Sequence, residues 1–227
     1  MDGEAKAGLV TVMTLSKDAR ILWQTAKALA LKSQAVSPRP RPLPPLLLFT
    51  DPERTPDPVQ IVSYLPSGSG VIYRHFGAAD AEQVAQRLRH VTKAAGLTLL
   101  IGLDHDLAAA VEADGVHLPE RALHQSASLR DQYPDWLITG AVHEAASLSG
   151  LKGLDAVVIS PVFPAGGRSA TKPDLGLEGF NRLIALAPCP VYGLGGITPE
   201  RAPRLLETKA CGIAGVDALV AAFKPAN

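Results

Sequence analysis

Three short apolar runs in the last third of the chain each lead directly into a loop rich in glycine or proline. The runs occupy residues 154–164, 189–198 and 211–217. Helical patterns separate them, and strands that alternate with helices at this spacing indicate parallel βαβ units. In a (β/α)8 barrel, glycine-rich turns after the last two strands are where a phosphate group is usually held. The pattern therefore predicts a parallel α/β fold with an anion site near its last strands.

The alternation of strands and helices extends back to residue 45 and predicts eight strands. We expect them near residues 45–50, 70–74, 97–102, 115–118, 136–140, 156–160, 191–193 and 212–215. The clearest helices are expected at residues 80–95, 106–112 and 143–148, with Asp106 as the N-cap of the second. Eight strands with nearly continuous apolar residues match a closed α/β (β/α)8 TIM barrel, with a doubly wound open sheet as the alternative.

An extra helix is expected before the barrel, at residues 16–32, where apolar residues recur at helical spacing. The proline-rich stretch at 37–45 then predicts a stiff linker. We expect residues 1–44 to form this helix and linker and residues 45–227 to form the barrel domain. Only ten residues, 218–227, follow the predicted eighth strand and its loop. We therefore expect the N-terminal helix to cover the apolar surface near the first and eighth strands.

Charge and cysteine content limit the classes of partner. The 22 lysines and arginines are balanced by 22 acidic residues, so no overall field favours nucleic acid or an anionic membrane. Cys189 and Cys211 are expected to be reduced, small buried hydrophobes. No signal peptide or membrane span is predicted, so we expect a cytoplasmic protein. Its expected partner is a small phosphorylated substrate, and oligomer formation is left open.

Several motifs, taken together, resemble the thiamine phosphate synthase and TenI family. They are Phe-Thr-Asp at 49–51, Ala-Asp-Gly-Val-His at 113–117, Pro-Val-Phe-Pro at 161–164, Gly-Leu-Glu at 176–178 and Gly-Gly-Ile at 195–197. A single Gly-Gly-Ile is weak evidence, because many phosphate-binding barrels have one. The combination is specific, and the resemblance covers about residues 45–220. It implies a TIM barrel from thiamine biosynthesis.

The two activities of the family make different demands on the sequence. The resemblance implies either a Mg²⁺-dependent synthase, which joins a pyrimidine pyrophosphate to a thiazole phosphate, or a metal-free thiazole tautomerase. Where a synthase places its two acidic magnesium ligands, this chain has Leu103 and Ala122. Neither side chain offers the oxygen that Mg²⁺ requires. A displaced metal site would draw on the remaining nearby candidates: Asp104, His105, Asp106 and Glu120.

The residue that matches the proton-transfer base of the tautomerase branch is His143, in the loop after the predicted fifth strand. An imidazole can take up and return a proton near neutral pH. Many synthases also have a histidine at this place, and a structural role in the first turn of a helix is the alternative. Leu118 and Pro119 after the fourth strand also match the tautomerase branch.

The resemblance implies further substrate-binding residues. Arg74 is what remains of the synthase pattern that holds pyrophosphate, and His117 ends the fourth strand at the expected barrel mouth. The alternative for Arg74 is an ion pair within the barrel, and the alternative for His117 is a core position. Thr171 and Lys172 match a pair in the family's mobile loop, which approaches the phosphates; a solvent-exposed basic loop is the alternative.

The expected phosphate site consists of residues in the last two glycine-rich loops: Gly195, Gly196, Gly215 and Val216. Glycine lets backbone amides approach a phosphate without obstruction by a side chain. Asp217 stands where the family usually has serine, and a carboxylate facing a phosphate is repulsive. We therefore expect Asp217 either to turn away or to weaken phosphate binding.

The favoured interpretation is a TenI-like barrel that binds a thiazole phosphate, or a similar phosphorylated heterocycle, and catalyses metal-free proton transfer. No cofactor is then expected. The alternatives are a thiamine phosphate synthase with rearranged ligands for Mg²⁺, and a non-catalytic or regulatory relative that only binds the ligand.

Overall fold

Eight parallel strands close into a barrel in the computed structural model, which describes residues 15–36, 42–166 and 173–225. The strands are β1 (Leu46–Phe49), β2 (Gly70–Tyr73), β3 (Thr98–Gly102), β4 (Gly115–Leu118), β5 (Leu137–Val142), β6 (Ala156–Ile159), β7 (Val191–Leu194) and β8 (Gly212–Gly215). Each pairs with the next, and β8 pairs with β1 in the register Leu47↔Ala214. The predicted closed barrel is confirmed, and the open sheet is wrong.

Helices surround the barrel. The α-helices are α1 (Lys17–Val36), α2 (Pro58–Val62), α3 (Ala81–Ala95), α4 (His105–Ala110), α5 (Ser126–Gln132), α6 (Gly176–Leu186) and α7 (Asp217–Phe223). Short 3₁₀ helices occupy Glu120–Gln125, Ala145–Leu148 and Ala202–Glu207. None of the helices in the described ranges is long and apolar enough to cross a membrane.

Two local predictions differ from the structure. The helix expected at residues 143–148 is only the 3₁₀ turn at Ala145–Leu148, because Glu144 is still in an extended conformation. Asp106 was the wrong choice of N-cap. The Oδ1 atom of Asp104 accepts from the amide of Leu107, which places Asp106 within the first turn of α4. Either aspartate fits the sequence pattern, and the extended backbone of Asp104 decides between them.

Side chains on each strand alternate between two apolar layers. On β1, Leu47 and Phe49 point into the barrel, whereas Leu46 and Leu48 pack against the surrounding helices. The interior layer also includes Tyr192, whose hydroxyl donates to the carbonyl of Pro44 at 2.6 Å, at the N-terminal end of the barrel. Because side chains fill the interior, the ligand site of such a barrel is expected at the rim formed by the carboxyl ends of the strands.

The N-terminal helix α1 covers the barrel at a place where the outer helices are short. Between β7 and β8 the described chain has only the 3₁₀ helix Ala202–Glu207, and α1 packs across this segment, β8, α7 and β1. Its buried side includes Leu22 and Leu29. Hydrogen bonds fix both ends, from Ser16 Oγ to the carbonyl of Ala222 and from Lys32 Nζ to that of Leu206. The expected covering role is therefore seen in the structure.

We predict that Leu29→Ala lowers the free energy of unfolding by about 2–4 kcal/mol, because it leaves a cavity between α1 and the barrel. The matched control is Leu31→Ala on the same helix, where the side chain is 72% exposed and the change should cost less than about 0.5 kcal/mol. Urea denaturation of both variants measures the difference. Equal stabilities would mean that α1 does not stabilise the barrel.

Candidate functional site

A cavity of about 490 Å³ opens at the rim, over the carboxyl ends of β1, β2, β6, β7 and β8. Five of the predicted site residues line it: Arg74, Gly195, Gly196, Gly215 and Val216. The charged side chains in its described wall are Arg54, Arg74, Arg201 and Asp217. Three guanidinium groups and one carboxylate thus face the same space, which favours an anionic ligand.

The two glycines after β7 are required by the packing of the rim itself. Gly195 and Gly196 have positive φ angles of 97° and 62°. A Cβ on Gly196 would lie 2.4 Å from the carbonyl oxygen of Pro164, and one on Gly195 would lie 2.8 Å from the Cα of Pro161. Because the loops after β6 and β7 approach so closely, neither position accepts a side chain. Close approach of a phosphate was the only role that the sequence predicted for these glycines.

Four charged residues form an alternating chain along one side of the cavity. Arg54 donates to Asp51 Oδ2 at 3.0 Å and to Asp217 Oδ2 at 3.2 Å, and Arg74 lies 3.5 Å from the same Asp51 oxygen. The hydrogen bond from Arg54 lowers the pKa of Asp51, against the opposing effect of its burial. Asp51 is thereby held as a carboxylate at the centre of the chain. Asp217 turns to Arg54, although it also lines the cavity.

Arg74 is held firmly at the carboxyl end of β2. Its Nε donates to the carbonyl of Thr50 at 2.7 Å, and its guanidinium lies 5.4 Å from the ring centroids of both Phe49 and Phe76. Arg74 forms an ion pair with Asp51, as the alternative to substrate binding expected, yet the same side chain lines the cavity. The two roles are compatible, because a guanidinium has five N–H donors.

Arg201 connects the two loops that form the opposite wall. Its Nη1 lies 3.2 Å from the carbonyl oxygen of Gly196 and 3.3 Å from that of Pro164. The guanidinium also lies 5.9 Å from the ring centroid of Phe163. Arg201 therefore stabilises the close approach of the loops after β6 and β7, while it places a positive charge at the cavity edge.

His143 lies beside the cavity and is not part of its described wall. Its Nδ1 is 3.0 Å from the carbonyl oxygen of Ser160, a residue that does line the cavity. A carbonyl can only accept, so this contact requires a proton on Nδ1, and Nε2 of the neutral ring is left as the basic nitrogen. The backbone amide of His143 donates to Glu120 Oε1 at 2.9 Å, which fixes the loop.

His117 occupies the barrel interior beneath the rim. Its Nδ1 is 2.9 Å from Thr139 Oγ1, and its ring meets that of Phe49 edge-on at a centroid distance of 4.9 Å. Burial, with a smaller contribution from the charge of Arg74, lowers the pKa of His117 to about 3. The imidazole is therefore neutral at physiological pH. His117 lies outside the described wall of the cavity, which agrees with the alternative that it is a core residue.

The positions that match the family's magnesium acids carry no oxygen ligand. Leu103 is 37% exposed, with a φ of 68°, and Ala122 is buried. Asp104 caps α4 through Oδ1, and its Oδ2 lies 3.4 Å from His75 Nε2. Within the described ranges, no three His, Cys, Asp or Glu residues cluster as a metal site would. The displaced site considered above does not form from these described residues.

Two other predicted residues, Thr171 and Lys172, lie outside the described residues. Four further residues of the site were not predicted from the sequence: Asp51, Arg54, Arg201 and Ser160. Asp51 and Arg54 directly follow β1, so their place at the rim could have been inferred from the barrel. The direction of the Arg54 side chain could not, since one of its two partners, Asp217, is distant in sequence.

Comparisons with known proteins agree with the fold and the motifs. Residues 48–219 match the sequence model of a family described as thiamine monophosphate synthase. The chain is 35% identical to "Putative thiamine-phosphate synthase 2" of Aquifex aeolicus over 136 residues, which cover 59% of this chain and 72% of the relative. It is 30% identical to a "Thiamine-phosphate synthase" of Haloarcula marismortui over 182 residues, or 76% of this chain and 85% of the relative.

Among solved structures, a thiamine phosphate pyrophosphorylase from Pyrococcus furiosus superposes with a TM-score of 0.63 at 24% identity. The superposition covers 79% of this chain and 91% of the other. At this identity, the likeness supports the barrel fold.

The neutral state of His117 predicts a pH dependence of stability. The unfolded histidine takes up a proton below a pKa of about 6.5, whereas the folded one does so only near 3. Its contribution to stability is therefore complete above pH 6.5 and is lost as the pH falls towards 3. Between pH 6.5 and 5, the wild type should lose about 1–2 kcal/mol more than His117→Gln. Urea denaturation at several pH values tests this, and parallel curves would show that His117 does not contribute.

Proposed function

The chain belongs to the thiamine monophosphate synthase family, and we propose that it makes thiamine phosphate from a thiazole phosphate bound at the barrel rim. The relatives named above are called thiamine-phosphate synthases, which favours the synthase over the tautomerase that the sequence analysis preferred. The observation that carries the proposal is the charge of the cavity. The whole chain has a formal net charge of zero, whereas the described wall of this cavity carries three arginines and only one carboxylate.

The phosphate fits the side of the cavity formed by β7, β8 and the loop after β1. Arg54 and Arg201 face this space, and the loops that carry Gly195, Gly196 and Gly215 form its wall. Guanidinium groups bind phosphate oxygens through paired, charge-assisted hydrogen bonds, which are stronger than neutral ones. A volume of about 490 Å³ also lies within the range of pockets for small ligands.

The ring of the substrate fits the other, more apolar part of the cavity. Phe49 and Leu194 form part of its surface, and the guanidinium of Arg74 lies 5.4 Å from the ring centroid of Phe49. An apolar floor excludes water and strengthens the electrostatic interactions above it. The cavity thus offers a charged side for the phosphate and an apolar side for a flat heterocycle.

Magnesium, which the family implies, does not fit the residues described here. Asp51 is engaged by Arg54 and Arg74, and Asp104 by the α4 amide and His75. Leu103 and Ala122 stand at the matched positions. The support for the synthase proposal therefore comes from the anion site and from the family, and not from a metal site.

A second candidate function is metal-free proton transfer on a thiazole phosphate, favoured by the geometry of His143. Its Nδ1 contacts the carbonyl of Ser160, a residue that lines the cavity, which leaves Nε2 as the candidate base. Glu120 fixes the backbone of the same loop, and its pKa is lowered because hydrogen bonds to its carboxylate outweigh its burial. An imidazole held in one tautomer can take a proton and return it.

The synthase proposal is tested by incubating the protein with pyrimidine pyrophosphate, thiazole phosphate and Mg²⁺, followed by chromatographic detection of thiamine phosphate. We expect product, and we expect Arg74→Gln to lower kcat/KM by about tenfold or more, because it removes a fixed cation from the cavity. The control is Arg87→Gln, an exposed arginine on α3 that should leave kcat/KM unchanged. Absence of product at millimolar substrate, while an authentic synthase is active in the same mixture, contradicts the proposal.

The second candidate predicts a different result for His143→Ala. If His143 is the base, the variant should lose proton exchange on the thiazole phosphate by about 100-fold or more, with its Kd for the same ligand unchanged. Hydrogen–deuterium exchange into the ring, followed by NMR, measures the rate, and calorimetry measures the Kd. Equal exchange rates in wild type and variant would eliminate His143 as the base.

A further inference from the structure

We propose that Arg54 binds the phosphate of the substrate and that Asp217 competes with this phosphate for the same guanidinium. The inference depends on the proposed function, because it assumes that the ligand in the rim cavity carries a phosphate. In the free protein, the Nη1 group of Arg54 donates a hydrogen bond to Asp217. When the anion binds, it replaces the Asp217 carboxylate on Arg54, and the ion pair opens.

The two ion pairs of Arg54 differ in their exposure to water. Its Nη2 donates at 3.0 Å to Asp51, whose side chain is only 6% exposed. Its Nη1 donates at 3.2 Å to Asp217, whose side chain is 61% exposed. An ion pair in contact with solvent adds little stability, and its partner can be exchanged at small cost. The pair with Asp51 is therefore the anchor, and the pair with Asp217 is the exchangeable one.

The backbone around Arg54 is held in place without Asp217. Asp51 and Thr55 form a closed turn, in which the amide of Asp51 donates to Thr55 Oγ1 and the amide of Thr55 donates to the carbonyl of Asp51, both at 2.7 Å. The amide of Glu53 also donates to Asp51 Oδ1 at 3.2 Å. Arg54 projects from this turn into the cavity wall. Loss of Asp217 would therefore leave Arg54 in position, with its Nη1 directed towards the cavity.

Charge decides which partner Arg54 prefers once the ligand is present. A phosphate monoester carries up to two negative charges and several acceptor oxygens, whereas Asp217 offers one charge that is already shared with water. The carboxylate of Asp217 lines the cavity too, so it repels the anion as well as competing for Arg54. Both effects act in the same direction, and both vanish when Asp217 is neutral.

The test compares the binding of thiazole phosphate, and of inorganic phosphate, to the full chain by calorimetry. Asp217→Asn should bind both probes about fivefold or more tightly than the wild type, because competition and repulsion are removed. Arg54→Gln should bind them about tenfold or more weakly. Matched controls are Glu207→Gln and Arg87→Gln, an exposed acid and an exposed arginine outside the cavity wall, which should stay within about twofold.

Unchanged or weaker binding by Asp217→Asn overturns the inference, since it would mean that Asp217 holds Arg54 for the ligand or plays no part. If Arg54→Gln does not fold, because Asp51 has lost a partner, Arg54→Lys keeps a positive charge and should still bind more weakly than the wild type. Asp217→Asn remains decisive in either case.

These outcomes separate the inference from the function on which it depends. If the wild type binds thiazole phosphate and Asp217→Asn binds it no better, the proposed site stands and the competition is wrong. If only Asp217→Asn binds, the competition is supported and the wild type is not adapted to this ligand. If neither protein binds either probe, both proposals are wrong.

Discussion

Closure of the sheet between β8 and β1 is the constraint on which the rest of the structure depends. Once Leu47 pairs with Ala214, the carboxyl ends of all eight strands lie on one rim, and loops far apart in sequence become neighbours. Arg54 and Asp217 are 163 residues apart along the chain and meet only because of this closure. The helix α1 packs over the same seam from outside, against β8, α7 and β1.

The filled interior explains why the polar groups of the site lie at the rim. Phe49, Ile72 and Tyr192 occupy the interior of the barrel, and the imidazole of His117 can join them only in its neutral form. A charged group placed there would lack water and a partner. The arginines of the rim avoid this problem because each contacts a carboxylate, a carbonyl oxygen or an aromatic face.

The strands and the rim glycines could be predicted from the sequence because each depends on local pattern. An apolar run such as β6 needs no knowledge of its neighbours, and Gly196 belongs to a turn that few other residues could form. Properties that depend on the exact backbone conformation or on distant partners could not be predicted in this way. The extended backbone of Asp104 selects it over Asp106 as the helix cap, and Asp217, 163 residues away, helps to set the direction of Arg54. The family resemblance supplied the location of His143, but only the carbonyl of Ser160 defines its tautomer.

Asp217 illustrates why a single position is a poor guide to the chemistry of a site. Taken alone, a carboxylate next to two glycine loops argues against an anion, because like charges repel. In the structure it faces Arg54, which is in turn bound to Asp51, and Asp51 is shared with Arg74. The four charges sum to zero, so the rim is not repulsive as a whole. An anion that displaces Asp217 leaves each guanidinium with a negative partner, and the carboxylate it releases is the one most exposed to water. The carboxylate of Asp217, which by itself would oppose phosphate binding, is thus also the partner of Arg54 that an anion can most easily displace.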